Sequence, residues 1–189
     1  MSLVITSYLN FVGDLNIPNI GSGDPNRDYL DKMIERHEPQ FLSDLLGYEL
    51  ANLMIEDQDV ATPPPGIYYD LLHGKEFTDS LGRLNKWEGF LSEVYNPIAY
   101  YVYYLVQQDS FSTTTSIGET RPKSENSEVY TPIEKMNRAW NTMVDINCVL
   151  HDFLTVNAED YPEYRGVEGP RDLSWGNRKF FTKQNALGI

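Results

Sequence analysis

The chain has 189 residues, 41% of them hydrophobic and 13% aromatic, and a net charge of -13 from 15 Lys+Arg against 28 Asp+Glu. That is enough for one ordinary domain that buries roughly 70% of its unfolded surface without disulfides or metals, and so acidic a body repels phosphate, which excludes a dedicated nucleic-acid binder. The single cysteine, Cys148, excludes an internal disulfide framework, no run approaches the about 18 apolar residues of a membrane span, and the opening MSLVITSYLNFVGDLN lacks the marks of a signal peptide; a soluble, intracellular protein is expected.

Residues 1–23 read as an irregular or partly extended lead that ends in Gly21-Ser22-Gly23. Asp24-Pro25 then marks a helix start, with Asp24 as N-cap, Pro25 at the first helical position and Asp28 near the positive end of the dipole. Leu30, Met33 and Ile34 continue at helical spacing, Pro39 should kink or restart the helix, and Phe41, Leu42, Leu45 and Leu46 carry the apolar face on. Gly47 suits a C-cap or a tight packing point, and Leu50, Leu53 and Met54 suggest further turns.

Thr62-Pro63-Pro64-Pro65-Gly66 reads as a stiff spacer, followed by a short helix over 67–73. Two short polar-apolar segments around Asp79-Ser80, with Gly82 nearby, predict a small β-hairpin within 74–89. Residues 90–108 read as a helix with the stripe Leu91, Val94, Tyr95, Ile98, Val102 and Leu105, bent at Pro97. Tyr100, Tyr101, Tyr103 and Tyr104 make it apolar on nearly every side, the mark of a helix central in its domain or at an oligomer contact. Residues 109–131 form a long polar loop rich in Ser and Thr. Pro132 opens the clearest helix, to about Asn157, with the stripe Met136, Ala139, Trp140, Met143, Ile146, Leu150, Phe153 and Leu154. Asn147 falls inside that stripe, where a polar side chain needs a partner. The fold class is therefore mainly α: a helical bundle with a small β-hairpin, a long polar loop and an extended C-terminal arm.

Chemistry is hard to find in these residues. His37 and His73 stand alone and His151-Asp152 has no second histidine one turn on, so no metal site is expected. Cys148 lies toward the polar side of its helix with no cation nearby in sequence to activate it. Phosphate-cradling glycine motifs, a Gly-x-Ser-x-Gly elbow and a calcium loop are absent, and no carboxylate pair is singled out by spacing. The expectation is no catalytic residue, no cofactor and no metal.

The end of the chain is different. Residues 171–189 hold Arg171, Arg178, Lys179 and Lys183 against Asp172, a balance of +3, which leaves -16 for the remainder. Trp175, Phe180, Phe181, Leu187 and Ile189 are spaced along it without a helical stripe. Aromatic and basic residues concentrate in the energetic centres of interfaces, so Trp175, Arg178, Lys179, Phe180, Phe181, Lys183, Leu187 and Ile189 are the candidate partner-binding residues. The expected division is a helical body over 1–170 and a basic-aromatic arm over 171–189 that leaves its own domain to dock on another chain. The competing reading is that the arm folds back and caps the helices.

Three segments together resemble the head–tail connector (adaptor, or head-completion) proteins of tailed bacteriophages. They are 24–54, where Asp24-Pro25 leads to Leu45-Leu46-Gly47-Tyr48-Glu49-Leu50; 87–108, with its Tyr100 to Tyr104 run; and 116–141, with Ile117-Gly118-Glu119, Ser124-Glu125-Asn126 and Ala139-Trp140-Asn141. The long C-terminal tail and the Pro63 to Pro65 spacer have no place in that pattern. The resemblance implies a structural virion protein of the neck, assembled in the host cytoplasm as a homo-oligomeric ring, usually twelvefold. Its partners would be the portal protein and the tail or next neck ring, with DNA passing through the channel unbound and no membrane involved. Two other classes stay open: a small cytosolic protein-binding module unrelated to virions, and an enzyme whose site is assembled from dispersed residues.

Overall fold

The computed structural model describes residues 5–58, 68–111, 113–115, 118–120, 133–164, 166 and 179–184. Among them are five α-helices and two small antiparallel hairpins, so the mainly helical class read from periodicity holds.

Helix α1 spans Pro25–Leu46 and begins as its residue types dictate: the Asp24 carboxylate accepts from the Asn26 N–H at 3.1 Å, with Pro25 at the first position. It buries Leu30, Met33, Ile34, Glu38, Phe41, Leu42, Leu45 and Leu46, one face at three- and four-residue spacing. No restart occurs at Pro39, which sits inside a single helix; its missing N–H leaves one helical carbonyl without its usual donor. Gly47 is the C-cap, and α2 (Tyr48–Gln58) follows at once, burying Leu50, Ala51 and Met54.

The short helix α3 (Tyr69–His73) leads through Gly74 into β1 (Lys75–Thr78), which pairs with β2 (Leu84–Trp87) in the register Lys75↔Trp87 to Thr78↔Leu84. Asp79 organises the turn: its carboxylate accepts from the N–H groups of Leu81 and Arg83, both at 2.9 Å, from Arg83 Nε at 2.8 Å and from Asn85 Nδ2 at 3.0 Å. At the other end the hairpin is sewn to α3, since Trp87 Nε1 and the Phe90 N–H both donate to the Leu71 carbonyl and the Leu91 N–H to that of Leu72. The approach is close enough to demand glycine twice. Gly74 and Gly89 both have φ of +87°, and a Cβ on either would fall against the backbone of the other strand end.

Helix α4 spans Pro97–Phe111 and begins where a bend was expected. Pro97 takes the first helical position, and the buried Asn96 caps it by accepting from the Ile98 N–H at 2.9 Å and the Ala99 N–H at 3.3 Å. Residues 90–96 are thus irregular, and Val94 and Tyr95 are exposed rather than part of a helical stripe. The tyrosine-rich helix is central, packed mainly on α5 and also on α1, with Ile98, Val102, Tyr103 and Val106 buried.

The polar loop expected over 109–131 is shorter than that. Phe111 still belongs to α4, and β3 (Thr113–Thr115) pairs antiparallel with β4 (Gly118–Thr120); threonine suits a strand, which its polarity masked. Residues 121–132 lie outside the described part. Helix α5 (Ile133–Val156) buries Ala139, Trp140, Met143, Val144, Asn147, Leu150, Phe153 and Leu154.

The lead before α1 is more structured than expected, with 3-10 turns at Tyr8–Asn10 and Gly13–Leu15 that bury Ile5, Phe11, Leu15 and Ile17. It is pinned from the middle of α1. Glu38, 2% exposed, accepts from the backbone N–H of Ile5 at 2.8 Å and of Thr6 at 2.7 Å. Burial pushes this carboxyl above its ordinary pKa, against the pull of those hydrogen bonds. Asn96 Nδ2 donates to Thr6 Oγ1 and Asn10 Nδ2 to the carbonyls of Ser92 and Glu93, tying the lead to the start of α4.

Candidate functional site

The candidate partner-binding segment is described over residues 179–184, and there it lies on its own domain. Three helices build an aromatic socket for it: α1 supplies Phe41, α4 supplies Tyr101 and Tyr104, and α5 supplies Trp140. Phe180 fills the socket and is fully buried. Its ring centroid is 4.6 Å from that of Phe41, 5.3 Å from Tyr101 in an edge-to-face contact, and 6.4 Å from Trp140, spacings at which aromatic pairs attract beyond their area burial.

The strap's main chain is read by side chains of α5. Asn147 Nδ2 donates to the Phe180 carbonyl at 3.0 Å and Trp140 Nε1 to the Thr182 carbonyl at 2.8 Å. Asn141 makes a two-way bond with Gln184, donating to its carbonyl at 2.9 Å and accepting from its N–H at 2.8 Å. Asn147 is therefore the polar residue in the apolar stripe that needed a partner, and Phe180 provides one for its amide nitrogen; its Oδ1 is buried without a hydrogen bond.

Both lysines face carboxylates of the body. Lys179 Nζ is 3.3 Å from Asp44 and lies 4.5 Å from the Phe180 ring centre, and Lys183 Nζ is 2.6 Å from Asp145. These pairs are solvent-exposed and contribute little to stability, but they set the strap's direction across the acidic helices. Phe181 is half-buried against the His151 ring, centroids 5.7 Å apart, and His151 Nδ1 shares a 2.8 Å hydrogen bond with Tyr164 Oη.

For residues 179–184 the expectation of an arm that leaves its own domain is corrected. Phe180 is a core residue, Phe181 packs on α5, and Lys179 and Lys183 pair with Asp44 and Asp145 of the same chain. The physical reason is that an aromatic ring finds the nearest socket that excludes water, and α1, α4 and α5 leave one open. Trp175, Arg178, Leu187 and Ile189 lie outside the described residues. Trp140, Asn141 and Asn147, which hold the strap, were not among the candidates; only the misplaced polarity of Asn147 signalled a role.

Elsewhere, an open groove of about 330 Å³ runs between β2 and α5, lined by Trp87, Tyr95, Thr142, Asp145, Ile146 and Val149 among others. Burial and the carboxylates of Asp145 and Asp152 raise the Cys148 thiol above its ordinary pKa, which disfavours the nucleophilic thiolate. Among the described residues no group of three or more His, Cys, Asp or Glu is placed to hold a metal ion, and no helix is long and apolar enough to cross a membrane. No family model matches the chain, and no curated protein or solved structure matches it.

Proposed function

We propose that the protein is a structural connector of a tailed-phage neck, assembling as a ring between the portal and the tail and working through protein contacts without catalysis. The reading starts from the resemblance in 24–54, 87–108 and 116–141. The helical parts of those segments are α1 with α2, α4, and the first third of α5, which pack around one core rather than lying scattered.

The observation that carries a binding role is an apolar surface left in water. Leu9 and Val12 are each 57% exposed and Val94 is 59% exposed. The hydrogen bonds from Asn10 to the carbonyls of Ser92 and Glu93 bring the two segments that carry them side by side, with the half-exposed Tyr95 alongside. Neighbouring exposed apolar side chains rimmed by polar residues mark interaction surfaces. A ring needs such a patch to meet a different face of the next copy. The acidic excess suits a channel wall along which DNA slides without sticking.

Electron microscopy of the purified full-length chain, alone and mixed with portal-bearing capsids, tests the proposal. Rings of one uniform symmetry, or density added at the portal vertex, are the expected result. A chain that stays monomeric in both settings and never attaches to capsids overturns it.

A further inference from the structure

The strap is held by contacts that do not depend on which chain it belongs to. One buried ring and side-chain bonds to main-chain groups fasten residues 179–184 to α1, α4 and α5. The walls of the socket are braced by each other as well, since Tyr101 packs on Phe41 at 5.1 Å and Tyr104 on Trp140 at 4.9 Å between ring centroids. The socket is thus a surface of the body that a matching segment can enter.

The connection to the strap is much longer than its own return requires. A Cβ on Gly166 would lie 3.8 Å from Cε1 of His151, and Phe181 packs against that same ring. Residues 167–178 join these neighbouring points. Fully extended, the steps from Gly166 to Lys179 reach about 45 Å, comparable with the about 40 Å diameter of a compact body of this length. A strap on such a tether reaches the socket of an adjoining copy.

Charge favours the same encounter. Two bodies of -16 repel, while a segment carrying Lys179 and Lys183 is drawn to Asp44 and Asp145 of either body.

We propose that the Phe180 socket is an exchangeable docking site whose second occupant is the 179–184 segment of another copy of this chain. Because home and exchanged straps make identical contacts, only the tether distinguishes them. A tether of about a dozen residues holds its own strap at an effective concentration on the order of 1 mM, so isolated chains keep the strap at home. Copies held side by side present a neighbour's socket at a similar concentration, and the strap then links them. Each copy offers one strap and one socket, which is the head-to-tail contact that closes into a ring or chain. The exchange rests on the socket geometry and not on the connector reading: rings whose straps all stay at home would leave that reading standing and end this one.

Isotope mixing reads the exchange on the unaltered protein. Full-length chains of natural isotopic content and 15N-labelled chains are combined in denaturant and refolded together at low and high concentration. A carbodiimide then joins Lys183 to Asp145 and Lys179 to Asp44 as amides, and mass spectrometry reads the linked peptides. The Asp70–Lys75 pair, local to one chain at 2.5 Å, is the internal standard. At about 1 mM roughly a quarter of the Lys183–Asp145 links should combine both isotopes, falling to the level of the standard near about 5 µM. Mixed links that stay at the level of the standard at every concentration overturn the proposal.

Discussion

Replacing Phe180 by alanine tests the central feature of the structure. The ring is fully buried between Phe41, Tyr101 and Trp140. Its removal opens about 100 Å³, which at about 24 cal/mol per Å³ costs about 2.4 kcal/mol before the lost transfer energy, and buried Phe→Ala changes cost about 3–5 kcal/mol in total. The strap does not survive that loss. Its four main-chain hydrogen bonds to α5 contribute about 1 kcal/mol each, whereas ordering a residue costs about 1–2 kcal/mol and six residues must be held. The segment should therefore detach and leave the socket to water. A loss of about 4 kcal/mol in a chain of this size lowers the melting temperature by about 10 °C, and Trp140, now 8% exposed, should shift its emission to the red. Deleting residues 175–189 should produce a similar loss, whereas an arm that leaves its domain would be removed without thermal penalty. Calorimetry and tryptophan fluorescence make the measurement. A Phe180→Ala protein melting within about 2 °C of the parent, with unchanged emission, would show that the ring does not hold the socket closed.

Glu38 makes stability depend on pH in an unusual direction for a carboxylate. Its folded pKa is raised by burial above the ordinary 4.5, so its contribution is fully present below pH 4.5 and is lost as pH rises through the folded value. Urea titrations should show the advantage of the parent over Glu38→Gln shrinking as pH rises across that window; an advantage that grows would refute the assignment. Asp79 runs the other way, because the Arg83 N–H, the Arg83 side chain and the Leu81 N–H hold its pKa below 3.8. Its contribution is present above pH 3.8 and is lost as pH falls through the lowered value, so the protection of the Leu81 and Arg83 amides, relative to their intrinsic exchange at each pH, should fall only at strongly acid pH. Protection already lost at neutral pH would count against it. Gly74→Ala forces a Cβ against the Trp87 carbonyl at a φ of +87° and should cost about 2–4 kcal/mol; an unchanged denaturation midpoint would mean that the hairpin end is looser than described.

Local signals were legible where the partner of each residue is close in sequence. Asp24-Pro25 named the start of α1, and the stripe from Met136 to Leu154 named α5 to within a residue at each end. The reading failed where two local rules competed. Apolar spacing from Leu91 through Leu105 suggested one helix, but Asn96-Pro97 is a better cap and first position than a bend, and capping won. It failed again where the partner is distant. Glu38 reads as one more acid on a helix until Ile5 and Thr6 arrive from 33 and 32 residues away. Phe180 shows the same limit at the candidate site. Its composition signalled that the ring had to be buried, whereas the site of burial depended on a socket shared by α1, α4 and α5.

The clasp between the lead and the start of α4 also orders events at the ribosome. Thr6 waits for Asn96, a partner 90 residues further along the chain. At translation rates of about 5–20 residues per second that delay is roughly 5–20 s. Glu38 arrives sooner, 33 and 32 residues after Ile5 and Thr6, so the lead is pinned to α1 before it is tied to α4. Lys179 to Gln184 emerge later still, so α1, α4 and α5 are already made before their last aromatic plug exists. The growing chain therefore completes the clasp on its lead only once Asn96 is made, and fills its aromatic socket last, with Phe180.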